Sequence, residues 1–341
     1  MSLPRPVLID MPWHIKQKIV GHTDNITRLV LRKTTKEFRK QVDCSPYPAN
    51  FKTVAFRVYK KRVIVDFYYG DKIFTVEYRK ADFHCVIKWS DDSRIICGKF
   101  DHIEQAVADI ATIFANRRAS VKEFHVCHTE YVDRSVKRSL KTFPKNKASF
   151  LNAIQKKFSQ LPELARIEIV DIEWSLNESE MMKLIPFLNA KSLKKLELKA
   201  TLQNTMKNIF VTEQFRNLNI LMLDNGNRVF SSFVTAKLPP AVLISGATAT
   251  TAELAVLLEN VLQNSEEFDH LDLWNVDYNM HDFLNHVINL HQLDRDDQAE
   301  EYIIKMPNSK GWLAITFRST DLFFEKLYQV LGPGGVLEVD E

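Results

Sequence analysis

Three clusters in this chain of 341 residues carry side chains whose types and spacing could do chemistry. His125-x-Cys127-His128, with Cys85 and Cys97 upstream, offers the sulfur and imidazole donors that zinc takes. On a strand, however, His125 and Cys127 point to one face and His128 to the other, and no second close-spaced pair completes a tetrahedron. The spacing predicts no metal site. Glu266, Glu267, Asp269, His270 and Asp272 could supply general acid and base groups, but their place at the start of an apolar strand predicts the exposed edge of a sheet. Arg134, Lys137, Arg138, Lys141, Lys145 and Lys147 form a basic run containing one aromatic, Phe143. Single-stranded nucleic acid needs several stacking rings beside such a track, so the run reads as a solvated face or a contact for an acidic protein. GxSxG, phosphate-loop, HExxH and Rossmann glycine patterns are absent from the sequence. A non-catalytic chain without a cofactor is expected.

What remains is a set of apolar faces that need something to cover them. Near the start, Met11-Pro12 is followed by Ile15 and Ile19, four apart on one helix face, with Pro12 suited to the opening of a helix. Asp24 can cap a second segment with Ile26, Leu29 and Val30 at helical spacing, and Leu31, Thr35, Phe38 and Val42 continue the stripe. So few residues cannot bury a self-sufficient core, so this face seeks the rest of the chain or another protein. Cys44-Ser45-Pro46-Tyr47-Pro48 ends the helical pattern.

Alternating, β-branched and aromatic runs follow at 54–59, 62–67, 72–78 and 83–88, with Gly70-Asp71 able to turn a hairpin. Asp101 and Glu104 open a helix with the stripe Ile103, Val107, Ile110 and Phe114. Then apolar-x-x-apolar-x-apolar recurs at Val121/Phe124/Val126, Leu164/Ile167/Ile169, Leu193/Leu196/Leu198, Leu218/Leu221/Leu223, Leu238/Ala241/Leu243 and Phe268/Leu271/Leu273. From the second copy onward the intervals run from 20 to 30 residues, the range of leucine-rich repeats. Helices are expected at 150–158, 179–189 and 250–263, the last behind the capping box Thr250-x-x-Glu253. A hairpin, 301–305 with 312–317, is expected to cap the array.

Composition is ordinary for a globular protein, 45% hydrophobic and 26% charged, and a net charge of +3 is too small to demand nucleic acid or an anionic membrane. The 4 Cys form no CxxC pair, and no apolar run approaches the roughly 18 residues of a membrane span. A soluble protein of the cytoplasm or nucleus is expected.

The LIDMP opening, the LRKTTKEFRK helix, FLNAKSLKKLEL, FSSFVTAKLP and ISGATATTAELAVLLENVLQNSEEFDHLDLWNVD together resemble the nematode F-box proteins with an FTH (F-box-associated) domain, the F-box A type of Caenorhabditis. A related nematode F-box family with a different associated domain is the nearest competitor. The chain departs from the F-box pattern at Trp13-His14, where an acidic residue often follows the proline, and at Thr34-Thr35, where Val-Cys is common. The resemblance implies an α/β chain with a three-helix F-box at 1–45, a β-rich linker sheet plus helix at 46–120, and an irregular leucine-rich-repeat-like FTH domain with its hairpin cap at 121–331. It implies a substrate-recognition subunit of an SCF-type cullin ubiquitin ligase. Leu8, Pro12, Ile15, Ile19, Leu29, Leu31 and Phe38 would meet a Skp-family adaptor tied to a cullin scaffold. On the repeat strands, Glu168, Asp171, Glu197, Lys199, Met222, Asp224, Asp272 and Trp274 are the expected contacts for a target protein. The alternative is an F-box scaffold that presents its partner without directing degradation.

Overall fold

The computed structural model describes residues 10–338 apart from 24, 45–49, 83, 90–93, 98–100, 116–118, 128–142, 162–165, 175, 199–206, 225–232, 265, 292–300, 307–310, 318–319, 328–329 and 332–336. The fold is mixed α/β, in two units, Met1–Ile167 and Glu168–Glu341.

The first unit opens with three helices, α1 (Trp13–His22), α2 (Asn25–Thr34) and α3 (Lys36–Cys44). Pro12 precedes α1 at the N-cap, its carbonyl accepting from the N–H groups of Ile15 and Lys16 at 3.0 and 3.1 Å. Thr35 separates α2 from α3, and its Oγ1 accepts the Phe38 N–H at 3.1 Å, a side-chain cap that starts the new helix. The buried pair on α1 is Lys16 and Val20, one position beyond Ile15 and Ile19, which are half-buried. Lys16 reaches solvent-side charge by pairing Nζ with Glu37 Oε2 at 2.8 Å, and Gln41 Nε2 donates to the Trp13 carbonyl at 3.4 Å. Polar groups thus fill an interior too small to be wholly apolar.

Strands β1 (Asn50–Val58), β2 (Arg62–Tyr69), β3 (Lys72–Lys80), β4 (Cys85–Trp89), β5 (Arg94–Cys97) and β6 (Ser120–Cys127) lie in the order β6-β1-β2-β3-β4-β5. Gly70 turns β2 into β3 at φ +56°, a conformation that costs an L side chain and not glycine. β6 is parallel to β1, a pairing that requires a crossover, and α4 (His102–Phe114) lies in that crossover. Its Ile103, Val107, Ile110 and Phe114 are buried as the stripe predicts. α5 (Phe143–Phe158) packs on α4, starting earlier than its apolar spacing indicates. A chain of ring contacts, Phe150 to Phe56 to Phe124 to Phe114 to Phe158, with centroids 5.1 to 5.8 Å apart, binds strands to helices. Asp109, 2% exposed, accepts the Tyr78 hydroxyl at 2.8 Å and Gln105 Nε2 at 2.9 Å, with Arg32 Nη1 of α2 at 3.9 Å. This buried carboxylate links the N-terminal helices to the sheet.

The second unit begins within β7 (Arg166–Ile172), and β7, β8 (Lys195–Leu198), β9 (Ile220–Leu223), β10 (Ala241–Ser245) and β11 (His270–Trp274) form successive parallel neighbours. Each strand buries two alternate residues: Val170/Ile172, Leu196/Leu198, Leu221/Leu223, Val242/Ile244 and Leu271/Leu273. Hydrogen bonding corrects two of the sequence repeats. The β7 copy is Ile167/Val170/Ile172, not Leu164/Ile167/Ile169, and on β10 Val242 and Ile244, not Ala241 and Leu243, match Leu221 and Leu223. Both stretches are apolar at adjacent positions, so more than one register satisfies the spacing, and a one-residue slip turns every side chain over.

The connections differ in regularity. Helix is expected across 179–189, but α6 (Glu178–Met181) stops after one turn and Ile185–Phe187 is a 3-10 turn around Pro186, which has no N–H to extend a helix. Short α7 (Lys207–Phe210) and α8 (Glu213–Arg216) precede β9. α9 (Thr251–Gln263) and α10 (Met280–His291) belong to two closely matched copies. Gly246 at φ +63° corresponds to Asn275 at φ +50°, Thr248 bridges Asp277, and Thr250 and Asn279 cap the two helices. Beyond β11 the expected hairpin, β12 (Glu301–Lys305) and β13 (Trp312–Phe317), does not meet the array directly. β14 (Leu322–Leu327) lies between, antiparallel to both β11 and β13.

Asp101 caps α4, accepting from the N–H groups of Ile103 at 2.8 Å and Glu104 at 3.4 Å, with His102 Nδ1 3.4 Å from Oδ2. The His102 side chain first, and then the backbone donors, overcome desolvation and lower its carboxyl pKa to about 2. Asp101→Ala is expected to cost about 1 kcal/mol at pH 7 in denaturant unfolding. Because the folded pKa lies below the unfolded one, the contribution is complete above pH 3.8 and disappears as pH falls through about 2, so the two proteins should converge there.

Candidate functional site

Burying one aliphatic pair per strand sends the intervening residues of the second unit's strands to the other face. The register aligns Asp171, Glu197, Met222, Leu243, Asp272 and Phe323 in a single cross-strand row. Two depressions adjoin on this face. The first, about 240 Å³, is mainly apolar and lined by Leu198, Met222, Leu223, Leu243, Ile244 and Trp274 together with Glu197, Asp224 and Ser245. The second, about 470 Å³, is polar and involves Asp269, His270, Asp272, Thr316, Phe323, Glu325 and Lys326.

Trp274 is 48% exposed, which is unusual for so large an apolar group, and meets Phe323 edge-on at 6.3 Å between centroids. Its carboxylate neighbours differ in how they are held. Glu197 pairs with Lys195 Nζ at 2.9 Å, and Asp224 accepts the Ser245 hydroxyl at 2.5 Å. Asp272 has its pKa raised by desolvation, against the opposing pull of His270 and of the Trp274 indole N–H. A surface with Trp274 exposed and Met222, Leu243 and Phe323 half-buried beside carboxylates is suited to holding a polypeptide.

Of the expected target contacts, Asp171, Glu197, Met222 and Asp272 fall in the row, and Asp224 and Trp274 line the apolar depression beside it. Asp171 is buried at the end of the row, and Glu168 is exposed on β7, its carbonyl accepting the Lys194 N–H at 2.8 Å. Lys199 lies outside the described residues. Leu243, Ser245, Phe323 and Glu325 were not in the expected set. Correct strand parity in β10 would have exposed Leu243, but the two β14 residues reach this face only through a pairing distant in sequence. The acidic stretch around Asp269 is not at a sheet edge, because β14 continues the sheet past β11. Glu267 there pairs with Lys237 at 2.7 Å.

Among the expected adaptor contacts, Pro12 is exposed, Ile15, Ile19 and Leu31 are half-buried, and Phe38, 2% exposed, serves the interior of the helical module. Leu8 and the Leu29 side chain lie outside the described residues. His125 Nε2 sits 3.5 Å from Glu123 Oε2 and Cys127 Sγ donates to the Phe56 carbonyl at 3.4 Å; His128 and most of the basic run lie outside the described residues. Among the described residues no group of three or more His, Cys, Asp or Glu is arranged to hold a metal, and no helix is long and apolar enough to cross a membrane.

The region that builds this face has a family counterpart. Residues 148–289 match the family model of the FTH domain. The FTH match runs from within α5 to within α10 and contains all five parallel strands, hence the row from Asp171 to Asp272 and also Trp274. Phe323 and Glu325 lie beyond the matched FTH residues. No curated protein matches the chain.

Since burial raises the Asp272 pKa above its unfolded value of 3.8, ionising it opposes folding. The penalty is absent below the unfolded pKa and complete above the folded one. Asp272→Asn, which keeps an oxygen for the indole N–H, is therefore expected to raise Tm at pH 7, with the gain shrinking as pH is lowered past 4; thermal melts at the two pH values check it.

Proposed function

We propose that this protein is a non-catalytic substrate receptor of an SCF-type cullin ubiquitin ligase, of the nematode F-box type, acting in the cytoplasm or nucleus. The N-terminal helices dock on a Skp-family adaptor, and the outward face of the second unit's strands holds the target. The observation that carries this reading is the FTH-domain match lying over the strands that expose Trp274. An FTH domain is F-box-associated and points to a protein-interaction role. The helical module is in keeping with docking, since it leaves Pro12 and Trp13 exposed and Ile15, Ile19 and Leu31 only half-buried. Such a partly covered apolar strip gains by meeting a partner. Its polar interior, with Lys16, Arg28 and Gln41 buried, leaves the module little apolar core of its own.

Capture of a purified Skp-family adaptor by the full chain tests the first half. Pro12→Ala combined with Ile19→Asp should reduce capture at least about tenfold, because a carboxylate is desolvated at the contact without a partner. Circular dichroism identical to the parent protein should accompany the loss; capture unchanged by the pair of substitutions sinks the assignment. The output is read separately: a target that accumulates on proteasome inhibition is degraded, and one indifferent to it is merely presented.

A further inference from the structure

The apolar depression beside Trp274 has a charge character that selects its occupant. Asp224, just after β9, and Glu197 line it, Asp272 of β11 lines the adjoining polar depression, and among the described residues the one Lys or Arg lining either is Lys326, whose Nζ donates to the Glu266 carbonyl at 3.2 Å. The nearby Lys195 is committed to Glu197. The Trp274 ring is half-exposed and fixed from the side by Phe323. An aromatic face between carboxylates attracts a cation through both the ring quadrupole and the ionic field. A neutral apolar occupant would instead strip water from Asp224 and Asp272 and leave each carboxylate with one neutral donor, the Ser245 hydroxyl and the Trp274 indole N–H, and an anionic one would be repelled.

Taking this face as the target surface proposed above, we infer that it binds a polypeptide segment in which an arginine or lysine stacks on Trp274 between Asp224 and Asp272, while an adjacent aliphatic side chain enters the Met222–Leu243 hollow. The cation supplies charge complementarity, and the aliphatic group supplies the apolar burial that the hollow offers.

Fluorescence anisotropy with the full chain tests it, using a labelled Gly-Ser peptide carrying three Leu-Arg pairs, the same peptide with citrulline for arginine, and the same with glutamate. The arginine peptide should bind saturably and weaken as salt rises from about 50 to about 500 mM. Trp274→Ala, or Asp224→Asn with Asp272→Asn, should lower its affinity about fivefold to thirtyfold, and the citrulline peptide should lose a similar factor on the parent protein. Val256→Ala, an exposed site on α9, should leave binding unchanged. Equal binding of the citrulline or glutamate peptide, indifference to those substitutions, or no saturable binding overturns the inference. Citrulline binding that still depends on Trp274 would remove only the charge assignment and leave the face as the target surface; adaptor capture, read through α1–α3, reports on the receptor assignment independently.

Discussion

The second unit depends on the requirement that each parallel strand bury two aliphatic side chains one residue apart. Val170/Ile172 through Leu271/Leu273 lie in register, and the buried leucines of α9 supply further apolar core. Apolar burial of about 1.5–3 kcal/mol per side chain exceeds what any single polar contact on the other face contributes, so it dictates strand parity. The outward row is the consequence. Asp171, Glu197, Met222, Leu243 and Asp272 stand together because their neighbours on the strands had to go inside. A binding face can therefore change composition without disturbing the core that positions it.

The first unit adds buried polar groups to its apolar core. Asp109 is buried but accepts from Tyr78 and Gln105, with Arg32 near. Asp66 accepts the Thr75 hydroxyl at 2.7 Å and pairs with Arg57, and Glu77 is bridged by Arg62 and Arg79. Satisfied in this way, buried polar groups give directional contacts that apolar packing lacks. In the N-terminal helices they hold together a module whose remaining apolar residues are only half-covered. The same economy that leaves Ile15 and Ile19 part-exposed makes the module suited to a partner.

Much of this was legible locally. Strands β1 to β4 and β6, the turn at Gly70, the α4 stripe, the Thr250 capping box and the hairpin in the last part of the chain follow from periodicity and turn chemistry, which act over a few residues. The repeat strands were also visible, and four of the eight expected target contacts share the observed row. The misplaced registers at 164–169 and 238–243 arose where several adjacent residues are apolar, because spacing alone cannot rank two hydrophobic alternatives. The break at Pro186 carried a signal that the apolar pattern around it masked.

The amino-acid order by itself determined most of the helices, strands and turns, the apolar pattern of the repeats, and the amphipathic character of the N-terminal segment, since these rest on contacts between near neighbours. Tertiary structure decided which of two apolar sets each repeat strand buries, that β14 returns between β11 and β13, and that Phe323 stands against Trp274. Those outcomes depend on hydrogen-bond register between segments tens of residues apart, which no local spacing encodes.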